Sequence, residues 1–146
     1  MKKIVLKIGL AGAMLLAGVL HASALDGVVV IVNKSVTADS ISAAALKDIY
    51  IGRTTYWDDG QSVSIAVLAE GIGDGKTDLA LNEVSGMDAS QFRTFWQRMV
   101  FSGRGHQPQK AGDAAALVAL VASNKGAIAL APADADLKDV KTLEVK

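Results

Sequence analysis

Apolar residues in this chain fall into runs of three kinds, and each kind predicts a different element. The first is unbroken: thirteen apolar residues from Ile8 to Leu20, preceded by Lys2, Lys3 and Lys7 and followed by His21-Ala-Ser-Ala24. Charged, apolar and small-residue segments in that order make a secretory signal peptide, with Ala22 and Ala24 as the small residues before cleavage. Thirteen apolar residues fall short of the ~20 that a helix needs to cross a bilayer. The reading is therefore a removed signal peptide over residues 1–24, one domain over 25–146, and no membrane insertion after cleavage. No Cys follows the apolar run, so no lipid is attached through one.

The second kind is short, β-branched and bounded by turn residues. Gly27-Val-Val-Val-Ile-Val32 reads as a strand buried on both faces, Val63-Ser-Ile-Ala-Val-Leu68 as a second strand, Ala127-Ile-Ala-Leu-Ala131 as a third, and Lys141 to Val145 as a last one. The third kind repeats at helical spacing. Ile41, Ala45, Leu46 and Ile49 predict a helix capped by Ser40 and closed before Gly52. Phe92, Phe95, Trp96, Met99 and Val100 recur at i, i+3, i+4, i+7 and i+8, with Asp88 and Gln91 spaced as a capping box; this stripe reads as core. Asp113 caps a further helix that turns Leu117, Leu120 and Val121 inward and ends at Asn124-Lys-Gly126. Strands alternating with helices predict an α/β domain with a mainly parallel sheet flanked by helices.

Charge changes the picture once the leader is set aside. The whole chain has 15 basic and 15 acidic residues; three lysines and no acid lie in residues 1–24, which leaves twelve basic against fifteen acidic residues, a net charge of −3. A mildly acidic domain has no electrostatic footprint for nucleic acid or an anionic membrane. The 122 remaining residues suit one domain with one core, and without any Cys that core rests on packing alone.

Four fragments, in order, carry a family resemblance: Leu46-Lys-Asp-Ile-Tyr-Ile-Gly52; Trp57-Asp-Asp-Gly60; Phe92-Arg-Thr-Phe-Trp-Gln-Arg-Met-Val-Phe-Ser-Gly-Arg-Gly105 with Pro108; and Val121-Ala-Ser-Asn-Lys-Gly-Ala-Ile128. Together they resemble the periplasmic phosphate-binding proteins of ABC transporters, and more narrowly the short single-lobe members of that superfamily. The resemblance implies one lobe of a type II periplasmic-binding-protein fold, with ligand where loops leave the strand ends and helix N-termini present free N–H groups. It also implies a periplasmic location, phosphate or another small oxyanion as ligand, and an ABC transporter or sensor ectodomain as partner. A single lobe leaves its ligand half exposed unless a second protein or a second copy covers it.

The chain departs from that family after the second strand. Where the phosphate binders carry an arginine and a Ser-Gly-Thr run, this sequence reads Val67-Leu-Ala-Glu-Gly-Ile-Gly-Asp-Gly-Lys-Thr77, with no arginine and with Glu70 and Asp74 as negative charge. Lys76, Thr77 and a helix starting near Asp78 still offer an ammonium, a hydroxyl and backbone N–H groups to an oxyanion. The candidate ligand-binding residues are therefore Gly73, Gly75, Lys76 and Thr77, then Arg53 and Arg104 as charge donors. Arg98 and His106 lie at or after the aromatic helix and read as surface residues.

Other chemistry is poorly provided for. Gly75-Lys76-Thr77 ends like a nucleotide-binding loop, but the glycine required five positions before Gly75 is Glu70. Asp58, Asp59 and Asp74 lack calcium-loop spacing and read as turn formers. There is no cysteine nucleophile, no Gly-x-Ser-x-Gly elbow and no zinc spacing, so neither an enzyme nor a metal or cofactor is expected. Two classes remain: a solute-binding module for transport or sensing, and a degenerate lobe that has lost its ligand and serves as a protein-interaction module.

Overall fold

The computed structural model describes residues 25–146; the expected signal peptide lies outside the described residues. The chain forms β1 (Val28–Val32), β2 (Ser40–Ile41), α1 (Ala43–Tyr50), β3 (Ser64–Leu68), α2 (Lys76–Ser85), α3 (Ala89–Phe101), β4 (Gln109–Ala111), α4 (Ala114–Ser123), β5 (Ala127–Pro132) and β6 (Lys141–Val145). The six strands lie in one sheet in the order β2-β6-β1-β5-β3-β4. Three pairings are parallel (β2 with β6, β3 with β4, β3 with β5), while β1 runs antiparallel to both of its neighbours, β5 and β6. The α/β architecture expected from the alternation of elements is present, with one reversed strand at its centre.

Period-2 alternation sorts the central strands between two cores. Val28, Val30 and Val32 of β1 and Ile128 and Leu130 of β5 face α1, α2 and α3, which add Leu46, Ile49, Tyr50, Leu81, Phe92 and Trp96. On the opposite face, Ile31 and the alanines Ala127, Ala129 and Ala131 meet Leu117, Val118 and Val121 of α4. Alanines at alternate positions of β5 leave room for α4 to close on the sheet, while the larger Ile128 and Leu130 fill the space under the aromatic helix.

The aromatic stripe is narrower than its spacing predicts. Phe92 and Trp96 are buried, Phe95 and Met99 sit at the core margin, Val100 is 39% exposed, and the neighbouring Phe101 is 96% exposed. The Asp88–Gln91 capping box forms in both directions, and the Asp113 carboxylate accepts from Ala116 N–H. The cap of α1 differs from expectation: Ser42 accepts from Ala45 N–H, because Ser40 and Ile41 are held extended by pairing with Glu144 and Val145. Helix α2 begins at Lys76, two residues before the expected Asp78.

Asn33, at the end of β1, fixes α4 to the sheet. Its Nδ2 donates to the carbonyls of Val121 (2.8 Å) and Ala122 (2.9 Å), two of the helix-end acceptors that have no intrahelical donor, and its Oδ1 accepts from Ser35 N–H. Gly126, at φ +75°, turns the chain from α4 into β5, and a Cβ there would collide with the Ser62 carbonyl oxygen. Tyr50 is fully buried at the end of α1, and its hydroxyl has no hydrogen-bond partner. Burial pushes the phenol well above its usual range, and the nearby Leu130 backbone offsets this only in part.

Two outcomes follow for chemical denaturation. Asn33→Ala strands a buried carbonyl at Val121 and a part-buried one at Ala122 and is expected to destabilise the domain by about 1–3 kcal/mol, read as a lower urea midpoint with an unchanged slope; a loss below about 0.5 kcal/mol would show that water satisfies the end of α4. Tyr50→Phe removes a buried, unpaired hydroxyl and is expected to be neutral or stabilising by up to about 1 kcal/mol. A clear loss of stability would mean that this hydroxyl is partnered in solution.

Candidate functional site

Two places bring the expected site residues to the surface, and they lie at opposite ends of β3. The first is the turn from β3 into α2. Gly71, Gly73 and Gly75 all have φ between +74° and +77°, the left-handed region that glycine enters without strain, and they fold Glu70–Gly75 back over the strand end. Gly75 is the N-cap of α2 and contributes no side-chain hydrogen bond, so the first N–H of the helix, that of Lys76, turns to a neighbouring carboxylate. Asp74 Oδ1 accepts from Lys76 N–H at 3.1 Å, and Asp78 Oδ2 accepts from Gly71 N–H at 3.1 Å.

Lys76 lays its aliphatic stem over Gly27, where a Cβ would sit 2.9 Å from Lys76 Cδ, and its ammonium lies 3.4 Å from Asp74. The Lys76 N–H first, and then its ammonium, hold the Asp74 carboxyl below the usual carboxylate range. Glu70 is drawn toward α3 by Arg93, at 3.7 Å. Each acid of the turn is thus held by a donor of its own chain, and the anion position at the start of α2 is filled by Asp74.

Beneath this turn lies a cavity of about 20 Å³ lined by Tyr50, Leu68, Thr77, Asp78 and Leu130 among others. That is room for about one water-sized group. Thr77 is buried there, and Tyr50, whose hydroxyl is unpartnered, is part of the same lining. Sequence reasoning passed over Tyr50 because its position among the apolar residues of α1 marks it as core.

The second place is an open groove of about 520 Å³ at the start of β3, between the Thr54–Tyr56 arm and the Gly103–Gln107 loop. Arg104 and His106 line it together with Ser62, Ser64, Trp96 and Gln109. The six expected site residues therefore do not form one cluster. Gly73, Gly75, Lys76 and Thr77 belong to the α2 turn, and Arg104 belongs to the groove. A five-residue strand spans about 16 Å between those two ends. Arg53 lines neither place; it is exposed and pairs with Asp48 at 3.7 Å. Arg98 lies apart from both, beside Ser90, Thr94 and Phe95 on the outer side of α3. Among the described residues, no three His, Asp or Glu side chains gather in a way that would hold a metal ion, and no helix is long and apolar enough to cross a membrane.

Comparison with solved structures gives the same architecture. A Clostridium perfringens protein described as a phosphate ABC transporter substrate-binding protein with bound phosphate matches at TM-score 0.60 and 21% identity over 82% of this chain and 44% of its own. An ABC-type phosphate transport receptor from Vibrio cholerae matches at TM-score 0.53 and 17% identity, covering 82% of this chain and 46% of its own. A phosphate-binding protein from Stenotrophomonas maltophilia matches at TM-score 0.56 and 20% identity, covering 82% and 39%. At these identities the likeness is one of fold, and the chain spans less than half the length of each structure. No curated protein sequence matches it significantly. The model of the family described as a PBP superfamily domain matches residues 20–144, nearly the whole described chain, and the protein belongs to that family.

Proposed function

We propose that this protein is a non-enzymatic solute-binding lobe of the bacterial periplasm, exported by cleavage after Ala24, and that its ligand is phosphate or a related small oxyanion held at the start of α2. Membership of the family supports a binding role. The observation that carries the site is the α2 N-terminus itself: a glycine cap with no side-chain bond, an ammonium beside it, and a buried threonine in the first turn, all at the end of a parallel strand. A helix start of this kind attracts an anion through its N–H groups and its dipole.

The cavity below the turn is too small for a whole tetrahedral oxyanion. The ligand sits over the turn instead, with one oxygen directed toward Thr77 and Tyr50, and it displaces Asp74 from Lys76. Because the lobe covers only one side, a partner completes the enclosure, either the receiving ABC transporter or a sensor ectodomain. Exchange of a bound carboxylate for the ligand makes this a weaker site than one with a free helix start, and it sets the sign of a simple test.

Titration calorimetry with phosphate and sulfate at low ionic strength is expected to show saturable binding that Lys76→Ala weakens by roughly tenfold and that Asp74→Asn strengthens, since the competing carboxylate is gone. Absence of heat from every anion in both the parent and Asp74→Asn would overturn the reading.

A further inference from the structure

The groove at the start of β3 is built differently from the α2 turn, and we propose that it is a second solute site, one that takes a polyhydroxylated oxyanion such as a sugar phosphate or a sugar acid. Its volume of about 520 Å³ falls in the range of small-molecule pockets, roughly 300–1,000 Å³. No Asp or Glu lines it. Lys76, Arg53 and Arg93 each pair with a carboxylate, whereas Arg104 makes no ion pair among the described residues. A guanidinium with His106 beside it, and no acid to satisfy it, is the natural seat for the oxyanion.

The remaining polar lining calls for more than a bare anion. The hydroxyls of Thr54, Thr55, Ser62 and Ser64 both donate and accept, whereas an ion such as phosphate at neutral pH mainly accepts. A ligand that carries hydroxyls of its own answers both directions. Tyr56, 64% exposed, presents a ring at the same rim against which the C–H face of a sugar can lie.

The walls are fixed before any ligand arrives. Val63 N–H donates to Thr55 O (2.9 Å), Tyr56 bridges Ser62, and Trp57 is held at both ends, by Gln61 O through its N–H (2.8 Å) and by Gly126 O through Nε1 (2.9 Å). On the other side, Arg104 N–H donates to Met99 O (2.9 Å). Gly105 lies so close to the Trp96 ring that a Cβ would come within 2.9 Å of it. Groups held in place in this way lose little freedom on binding.

The site is independent of the α2 turn, and separate variants distinguish the two. The full chain, purified in the form to which a bacterial host processes it, is titrated with glucose 6-phosphate and with galacturonate, using glucose and inorganic phosphate as controls. In Lys76→Ala, where the α2 turn has lost its ammonium, either anionic sugar is expected to bind saturably, at least tenfold more tightly than both controls. Arg104→Gln is expected to weaken that binding roughly tenfold with an unchanged unfolding midpoint, because the side chain is exposed; Lys76→Ala is expected to leave it unaltered. The proposal is overturned if neither sugar binds, if inorganic phosphate binds Lys76→Ala as tightly as the sugars do, or if sugar binding survives Arg104→Gln or falls with Lys76→Ala.

Discussion

The structure depends on the pairing of β1 with β5. Five consecutive residue pairs, from Val28 with Pro132 to Val32 with Ile128, place two apolar strands side by side at the middle of the sheet, and both of their faces are buried. A strand pair buried on both faces cannot slip by one residue without exchanging the contents of its two cores. Here the exchange would press Ile128 and Leu130 against α4, where only the alanines of β5 fit. Register, and with it the position of every loop at the sheet ends, follows from that difference in side-chain volume.

The loops at the start of β3 are then tied to this frame by single close contacts. Gly126 leads into β5 beneath the Ser62 carbonyl and accepts from Trp57 Nε1, so the start of β5, the start of β3 and the Thr54–Tyr56 arm form one junction. Trp96 does the same for α3: its Nε1 donates to Tyr50 O at 3.1 Å, and its ring packs between Gly52 and Gly105. One indole at each junction joins a helix or arm to a loop, and glycine at the contact point makes the approach possible.

At the other end of β3, local electrostatics govern. The turn into α2 is held by its own acids, with Asp74 on Lys76 N–H and Asp78 on Gly71 N–H. A carboxylate at a helix start stabilises the helix by the same attraction that would draw a ligand anion. The two uses compete for one position, and the balance between them separates a working oxyanion site from a merely stable turn.

Much of the fold was legible in the sequence. Continuous β-branched runs marked β1 and β3, and helical spacing with Asp88, Gln91 and Asp113 marked α3 and α4, because periodicity and capping are local properties of the chain. The short strands β2 and β4 left no such mark: two or three residues carry no period, and they are extended only because β6 and β3 lie alongside. For the same reason Ser42 rather than Ser40 caps α1. The Gly73–Thr77 turn was visible from its glycines and lysine, since it is one contiguous segment. That Arg53 and Arg104 stand apart from it, and that Arg104 instead shares a groove with Thr54, Ser62 and Ser64, was decided by the length and direction of β3, which only the folded sheet sets. The sequence determined the elements and the chemistry each one carries; the tertiary structure decided which of those chemistries share a surface, because strand neighbours far apart in the chain are chosen by the fit of side chains across the sheet.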